Sequence, residues 1–288
     1  MLYNAALVLE GGAFRGQYTA GVLDTFLDHH IEFDRVIGVS AGALCGANFV
    51  SKQYGRAEAI NTVHRHDRHY ISTTHLLRGN SIINMDYLFE DHGKRWQNFD
   101  ERAYERSASK ITIVATNIET GTAVTFDHPT GDHLTVALKA STAMPFITPP
   151  VATDQGKCLD GGVANSVPYD MAKKMGFDKV VVVRTRDVTY HKKPSSAMVK
   201  RLYRQHYKDY PAFVAAGIHR PIMYNQQVDT INKMANHGEL FCLAPQKPVT
   251  ISRLESNVNK LKDLYQEGVD ETTAGLGAME KYLQDSAY

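Results

Sequence analysis

Residues Arg35-Val36-Ile37-Gly38-Val39-Ser40-Ala41-Gly42-Ala43-Leu44 constrain this chain more than any other stretch. An apolar run of strand character ends in Gly38-Val39-Ser40-Ala41-Gly42, and a helical pattern follows. A G-x-S-x-G sequence between strand and helix marks a sharp turn that holds its serine in a strained backbone conformation. Glycines two residues to either side leave room for the strand and helix to cross closely. The hydroxyl then stands clear of the sheet, beside the first N–H groups of the helix. Those amides carry partial positive charge and can face a developing oxyanion. A pattern of five residues with two glycines also arises by chance, so the rest of the chain has to decide its meaning.

Ala5-Ala6-Leu7-Val8-Leu9 reads as a strand buried on both faces. Glu10-Gly11-Gly12-Ala13-Phe14-Arg15-Gly16 follows, and then an amphipathic stretch over residues 18–29. A dinucleotide fingerprint needs G-x-G-x-x-G, and Ala13 breaks that spacing. Gly11 and Gly16 fit a phosphate-binding P-loop, but Gln17-Tyr18 stand where its lysine and hydroxyl residue belong. An oxyanion loop remains, in which successive backbone N–H groups converge on a negative oxygen. Arg15 would order that loop or add positive potential. A plain tight turn is the competing explanation of Gly11-Gly12.

Strand, helix, strand ending at Ser40, helix is a β-α-β-α opening, and it indicates an α/β fold. In the α/β-hydrolase fold the nucleophile comes only after several strands, so the early Ser40 argues against that fold. Downstream, Lys110-Ile111-Thr112-Ile113-Val114-Ala115-Thr116-Asn117 is a strand, and residues 122–126 are placed to pair with it as a hairpin. Residues 134–140 read as a helix. Ser141 follows within Ala140-Ser141-Thr142-Ala143-Met144-Pro145; it lacks the glycine elbow, which favours a structural role near the site over a nucleophilic one. Lys157-Cys158-Leu159-Asp160-Gly161-Gly162 is a short strand that ends in a carboxylate with two glycines after it. Ends of parallel strands on one sheet edge are where sites form, although Asp-Gly is also a common turn.

Val180-Val181-Val182-Val183 predicts another buried strand, residues 195–237 a helical region, residues 240–245 a last strand, and residues 257–282 a closing helix. Residues 56–101 are polar and rich in histidine: His64, His66, His69, His75 and His92. No ligand spacing links them, so a solvated helical surface is expected rather than a metal site. Residues 76–81 read as a loop, and residues 84–89 as a short capped helix. The basic-aromatic set Lys192, Lys193, Lys200, Arg201, Arg204, Tyr203 and Tyr207 reads as a solvated helix face, with weak contact to an anionic membrane surface as the alternative.

At 288 residues the chain is long enough for a sizeable core, and its net charge of +1 gives no bulk attraction for nucleic acid. Cys45, Cys158 and Cys242 are odd in number and far apart, which favours neither a disulfide framework nor zinc. The opening residues lack a signal-peptide pattern, and the apolar runs are too short to span a bilayer. A soluble, cytoplasmic protein is expected. Its contact with any lipid would be peripheral.

Three motifs stand in order: Gly11-Gly12-Ala13-Phe14-Arg15-Gly16, Gly38-Val39-Ser40-Ala41-Gly42 and Asp160-Gly161-Gly162. Together they resemble the patatin-like phospholipase family, in its bacterial branch. The Ala140–Pro145 stretch is similar to another recurrent segment of that family. The resemblance is clear over about residues 5–185, and it divides the chain into a catalytic domain over residues 1–190 and a mostly helical C-terminal extension over residues 191–288, packed on the same domain. It implies a three-layer α/β/α fold with a mainly parallel central sheet.

The resemblance also implies a Ser-Asp dyad, with Ser40 as nucleophile and Asp160 as general base. Gly11, Gly12 and Ala13, with Arg15 beside them, would shape the oxyanion hole. Gly16, Gly38, Gly42, Gly161 and Gly162 support the motifs. The implied reaction is hydrolysis of fatty-acyl esters of phospholipids or related lipids through an acyl-enzyme, without cofactor, metal or calcium. An esterase or acyltransferase acting on other esters is the alternative within the same chemistry. A non-catalytic lipid-binding protein and a nucleotide-binding enzyme are the readings from other classes. Intact Ser40, Asp160 and Gly11-Gly12 count against the first, and the failed phosphate-loop spacings against the second. Oligomeric state is not legible in the sequence.

Overall fold

The structure is a computed structural model and describes residues 1–71, 83–90 and 97–285. Its centre is an eight-stranded sheet in the order β5-β6-β3-β2-β1-β7-β8, with β4 paired to β3 off that path. The strands are β1 (Leu2–Leu9), β2 (Glu32–Val39), β3 (Lys110–Asn117), β4 (Ala123–Asp127), β5 (Val151–Thr153), β6 (Gly156–Asp160), β7 (Val180–Val183) and β8 (Phe241–Leu243). The pairs β1–β2, β1–β7, β2–β3 and β7–β8 are parallel; β3–β4, β3–β6 and β5–β6 are antiparallel.

The continuous apolar runs follow from burial on both faces. Along β1, Tyr3, Ala5, Leu7 and Leu9 enter one core, while Ala6 and Val8 enter the other. The first core is closed by α1 (Gly16–Asp28), α2 (Ala41–Val50), α5 (Gly131–Thr142) and α9 (Val258–Gln284). The second is closed by α6 (Tyr169–Lys174) and α8 (Pro211–Asn236). Two helical layers around a mostly parallel sheet make this a three-layer α/β/α fold. Short helices α3 (Arg56–Asn61) and α4 (Glu101–Arg106) border the first layer, and α7 (Ala197–His206) precedes α8.

Residues beyond 190 are woven into this architecture. β8 extends the sheet beside β7, α8 covers one face and α9 the other. The α1–α9 contact is a backbone contact: a Cβ on Gly21 would lie 2.1 Å from the Tyr265 carbonyl oxygen, and one on Gly268 would lie 2.3 Å from that of Tyr18.

The edge of β3 has two successive partners. β2 pairs with it up to Val39↔Val114 and then stops. β4 occupies the opposite edge as far as Thr116. The edge vacated by β2 is taken by β6, running antiparallel, from Ala115↔Asp160 onwards. Ser40, the residue after β2, and Asp160, the last of β6, are thereby neighbours across adjacent positions of β3.

Two surface expectations need correction. Helix α3 ends at Asn61, and His64, His66 and His69 lie in the turns that follow rather than on a helical face. His69 pairs with Asp67 at 3.1 Å and stacks on Tyr87. His75, His92 and the loop expected over residues 76–81 lie outside the described residues. Within the basic-aromatic set, Tyr203 and Tyr207 point inward and are buried, packed with Phe213. Lys192 and Lys193 precede α7 and line a cavity. Among the described residues, no helix is long and apolar enough to cross a membrane, and no group of three or more His, Cys, Asp or Glu could hold a metal ion.

Candidate active site

Ser40 occupies the turn between β2 and α2 with φ 54° and ψ −120°, a region that costs a non-glycine residue of order 1–3 kcal/mol. Close packing holds it there. A Cβ on Gly42 would lie 2.5 Å from the Leu9 carbonyl oxygen, and one on Gly38 would lie 2.6 Å from Ala43 Cα. Only glycine at both places lets α2 cross the strands at this distance. The Ser40 N–H donates to Ser141 Oγ at 2.8 Å, and the Ser141 hydroxyl donates to the Val114 carbonyl at 2.7 Å. Ser141 is fully buried and braces the turn, which agrees with the structural role expected for it.

Asp160 ends β6 with its carboxylate facing Ser40. Its Oδ2 accepts the Ser40 hydroxyl at 2.8 Å, and its Oδ1 accepts the Gly162 N–H at 2.8 Å. The backbone around it is pinned from several sides. Asp160 N–H donates to the Ala143 carbonyl at 2.7 Å, and Thr116 Oγ1 donates to the Asp160 carbonyl at 2.9 Å. The Gly162 carbonyl accepts Ser166 Oγ at 2.7 Å and Arg220 Nε at 2.6 Å. Ser40 and Asp160 are 7% and 9% exposed, so their hydrogen bond is shielded without being sealed from solvent.

The glycine-rich loop joins the same site. A Cβ on Gly11 would lie 3.3 Å from Ser40 Cβ. The Gly11 N–H donates to the Ser166 carbonyl at 3.4 Å. The N–H groups of Gly12 and Ala13 bond to no other described residue. Ala13 has φ 48°, an unfavourable value for a residue with a side chain. Burial and the neighbouring Arg186 push the Arg15 guanidinium down to about 10.

Ser40 borders two cavities. One, of about 540 Å³, is mostly apolar and is lined by Leu44, Ile60, Leu88, Phe99 and Val151 among others. The other, of about 550 Å³, contains Gly11, Gly12, Ala13, Arg15 and Asp160 in its wall. Ala13, Met144 and Arg253 also line both. Among the described lining residues of either cavity there is no histidine.

Residues 7–173 match the family model for patatin-like phospholipase. The chain belongs to the patatin-like phospholipase family. This makes it by class a lipid acyl hydrolase, and it accounts for the three motifs meeting in one place. Residues 210–284 match a second model, described as a domain of unknown function. The patatin-like chain is 28% identical over 267 residues to the Escherichia coli protein titled uncharacterized protein YjjU, covering 91% of this chain and 74% of that one. It is 25% identical over 211 residues to a probable lipid hydrolase, 463L, of Invertebrate iridescent virus 6, covering 65% and 72%. The solved structure of VipD from Legionella pneumophila aligns with a TM-score of 0.50 at 11% identity, over 96% of this chain and 67% of that one. That likeness is one of fold.

All the residues singled out by the patatin-like motifs lie at this site or in its supporting turns. Sequence reasoning missed Thr116, Ser166 and Arg220, which pin the Asp160–Gly162 backbone. Thr116 and Ser166 lie in or beside recognised segments but have no distinguishing spacing. Arg220 lies in a long helix whose pattern carries no mark of the contact.

Proposed function

We propose that this protein hydrolyses fatty-acyl esters of phospholipids or related lipids through a Ser40–Asp160 dyad. The hydrogen bond from Ser40 Oγ to Asp160 Oδ2, 2.8 Å long, carries the proposal. Asp160 accepts the serine proton as Oγ attacks the ester carbonyl. The negative oxygen of the tetrahedral intermediate is received by the N–H groups of Gly12 and Ala13, with Gly11 shaping the loop and Arg15 adding positive potential. On collapse, protonated Asp160 gives its proton to the departing alcohol and the acyl group stays on Ser40. Water then attacks the acyl-enzyme, Asp160 takes the water proton, and the proton returns to Ser40 as the fatty acid leaves. No histidine stands among the described lining residues of either cavity, and the carboxylate that bonds Ser40 is taken as the base. The apolar cavity suits the acyl chain.

We also propose peripheral contact with the lipid surface through α7. Met198 and Leu202 lie one turn apart and are 72% and 43% exposed, Lys200, Arg201 and Arg204 flank them, and Val199 lines the second cavity. A basic, amphipathic face with exposed apolar side chains suits an anionic interface.

The test is fatty-acid release from mixed phospholipid vesicles beside hydrolysis of a short-chain nitrophenyl ester, for the unmodified protein, Ser40→Ala and Asp160→Asn. Each variant is expected to lose on the order of 10³-fold or more in kcat on both substrates. An active Ser40→Ala protein would overturn the dyad. Ester cleavage without phospholipid cleavage would move the substrate to non-phospholipid esters.

A further inference from the structure

The acyl-hydrolase reading uses the second cavity beside Ser40 only through its glycine loop and Asp160. The rest of its wall is unusual in charge. Five basic side chains line it, Arg15, Lys192, Lys193, Arg220 and Arg253, and Asp160 is the one carboxylate among the described lining residues. They come from four separate places: the loop before α1, the segment before α7, α8 itself, and the segment before α9. This is not the solvated face of one helix.

The cations crowd one another, and Glu10 and Asp160 offset them only in part. None of the five forms an ion pair with a described carboxylate. The Nε of Arg15 is buried with no hydrogen-bond partner. The Lys192 ammonium lies 3.4 Å from the centroid of the Tyr224 ring. Arg220 spends Nε on the Gly162 carbonyl, and its terminal nitrogens bond to no described residue. Burial, then Arg220, Arg253 and Arg15, pull Lys192 well below the usual lysine range, with Glu10 opposing them. Burial and Arg220 likewise lower Arg253. Glu10, which accepts the Thr185 N–H at 2.7 Å, offsets part of the positive charge at Arg15 and Lys192 but is a single carboxylate outside the cavity lining. Crowded, unpaired positive charge in a partly buried wall is unfavourable until an anion completes it.

We propose that this cavity binds the phosphate of the substrate's head group while the acyl chain lies in the apolar cavity on the other side of Ser40. The proposal rests on the acyl-hydrolase reading and narrows its substrate to phosphate-bearing lipids without a cationic head group. A choline or ethanolamine ammonium would enter a field of like charge and be disfavoured. Arg220 and Arg253 fall within residues 210–284, and Lys192 and Lys193 lie beyond the residues that match the patatin-like model. The C-terminal region thereby acquires a role in head-group selection.

Two measurements on the full-length chain test this. In the first, glycerol 3-phosphate and inorganic phosphate are titrated calorimetrically into the unmodified protein, Arg253→Gln and the double variant Lys192→Met/Arg253→Gln, with thermal unfolding as the folding control. In the second, kcat/KM is compared for monooctanoyl esters of glycerol, glycerol 3-phosphate and glycerophosphocholine. Saturable glycerol 3-phosphate binding is expected, weakened by salt and by about tenfold or more in the double variant. The glycerol 3-phosphate ester is expected to be preferred by about tenfold or more over the choline ester, a preference that narrows in the variants mainly through KM.

Absence of glycerol 3-phosphate binding, equal kcat/KM for the three esters, or a uniform loss across them in the variants would overturn the proposal. Inorganic phosphate binding that the variants weaken but that does not inhibit cleavage of the phosphate ester would assign the cluster to free phosphate and also overturn it. Variant-sensitive glycerol 3-phosphate binding in a protein that cleaves no ester would instead overturn the acyl-hydrolase reading and leave the anion subsite standing.

Discussion

The Ser141 hydroxyl accepts the Ser40 N–H at 2.8 Å across a separation of 101 residues and passes a hydrogen bond to the Val114 carbonyl at 2.7 Å. One buried side chain thus ties the strained turn to the strand beneath it. Ser141→Ala would leave both backbone groups unpaired, at a cost of about 1–3 kcal/mol. A lower Tm is expected, with kcat reduced by about tenfold as Ser40 relaxes from its observed backbone conformation. Thermal unfolding and nitrophenyl ester kinetics measure both; unchanged values would make the brace incidental.

Ala13 holds φ 48° where glycine would sit without strain. Ala13→Gly relieves about 1 kcal/mol in the folded chain, offset in part by a more flexible unfolded chain. The expected outcome is a small stabilisation with activity retained. Ala13→Val, β-branched at the same φ, is expected to lose both stability and activity. Urea unfolding and ester hydrolysis distinguish these outcomes from a position indifferent to its side chain.

Asp24 links three elements: its Oδ2 accepts Gly55 N–H at 3.1 Å and the Tyr265 hydroxyl at 2.9 Å. Burial raises its carboxyl from 3.8 to about 6, against the lowering effect of those two hydrogen bonds. Between about pH 4 and 6 the unfolded chain therefore loses this proton before the folded one does, and Asp24's contribution to stability falls as pH rises. Asp24→Asn keeps an acceptor oxygen without the charge. It is expected to stabilise the protein by up to roughly 3 kcal/mol at pH 7, with the gain shrinking towards pH 4. Urea unfolding of both proteins across that range would show a constant gap if Asp24 were not responsible.

Met198 and Leu202 test the proposed membrane contact. Met198→Glu with Leu202→Glu adds two negative charges to an exposed apolar face. Hydrolysis of anionic vesicles is expected to fall by about tenfold relative to hydrolysis of a soluble ester. Equal effects on both substrates would remove α7 from the interface.

A chain ended at Tyr190 tests whether residues 1–190 stand alone. It would lose β8, α8 and α9 and bare Gly21 and Tyr18 on α1. We expect it to be insoluble or unfolded, read by circular dichroism after expression. A cooperatively folding fragment would support a separable catalytic domain.

The fold was legible wherever one local cause dominates. Val180–Val183 is buried on both faces and reads as a strand in any context. Asn257 caps α9 as its side chain predicts, accepting from Asn259 and Lys260. The candidate site was legible because glycines mark close backbone approaches, and motifs preserve their spacing. Arg56 shows the limit: it opens a polar stretch, yet it is 3% exposed and donates to Asn48 Oδ1 at 2.7 Å and the Gln97 carbonyl at 2.8 Å. A charged residue carries no sign of whether the chain will return to satisfy it. The convergence of Lys192, Arg220 and Arg253 was hidden for the same reason. Each is ordinary in its own segment, and only the packing of α8 and the final loop brings them together.

The change of partner along β3 gives the Ser40–Asp160 distance its own gauge. The two residues are 120 positions apart in the chain, but the last pair of β2, Val39↔Val114, and the last pair of β6, Asp160↔Ala115, are one step apart on a shared strand. That step is set by hydrogen-bond register, about 3.3 Å per residue, and is insensitive to how much chain lies between. Insertions in the intervening loops can therefore accumulate without altering the Ser40–Asp160 pair. A slip of one residue in β6 cannot, because it turns the carboxylate to the opposite face of the sheet. The tolerance of this site to evolutionary change is thus unequal: wide in the length of its connections, and less than a single residue in the alignment of one short strand.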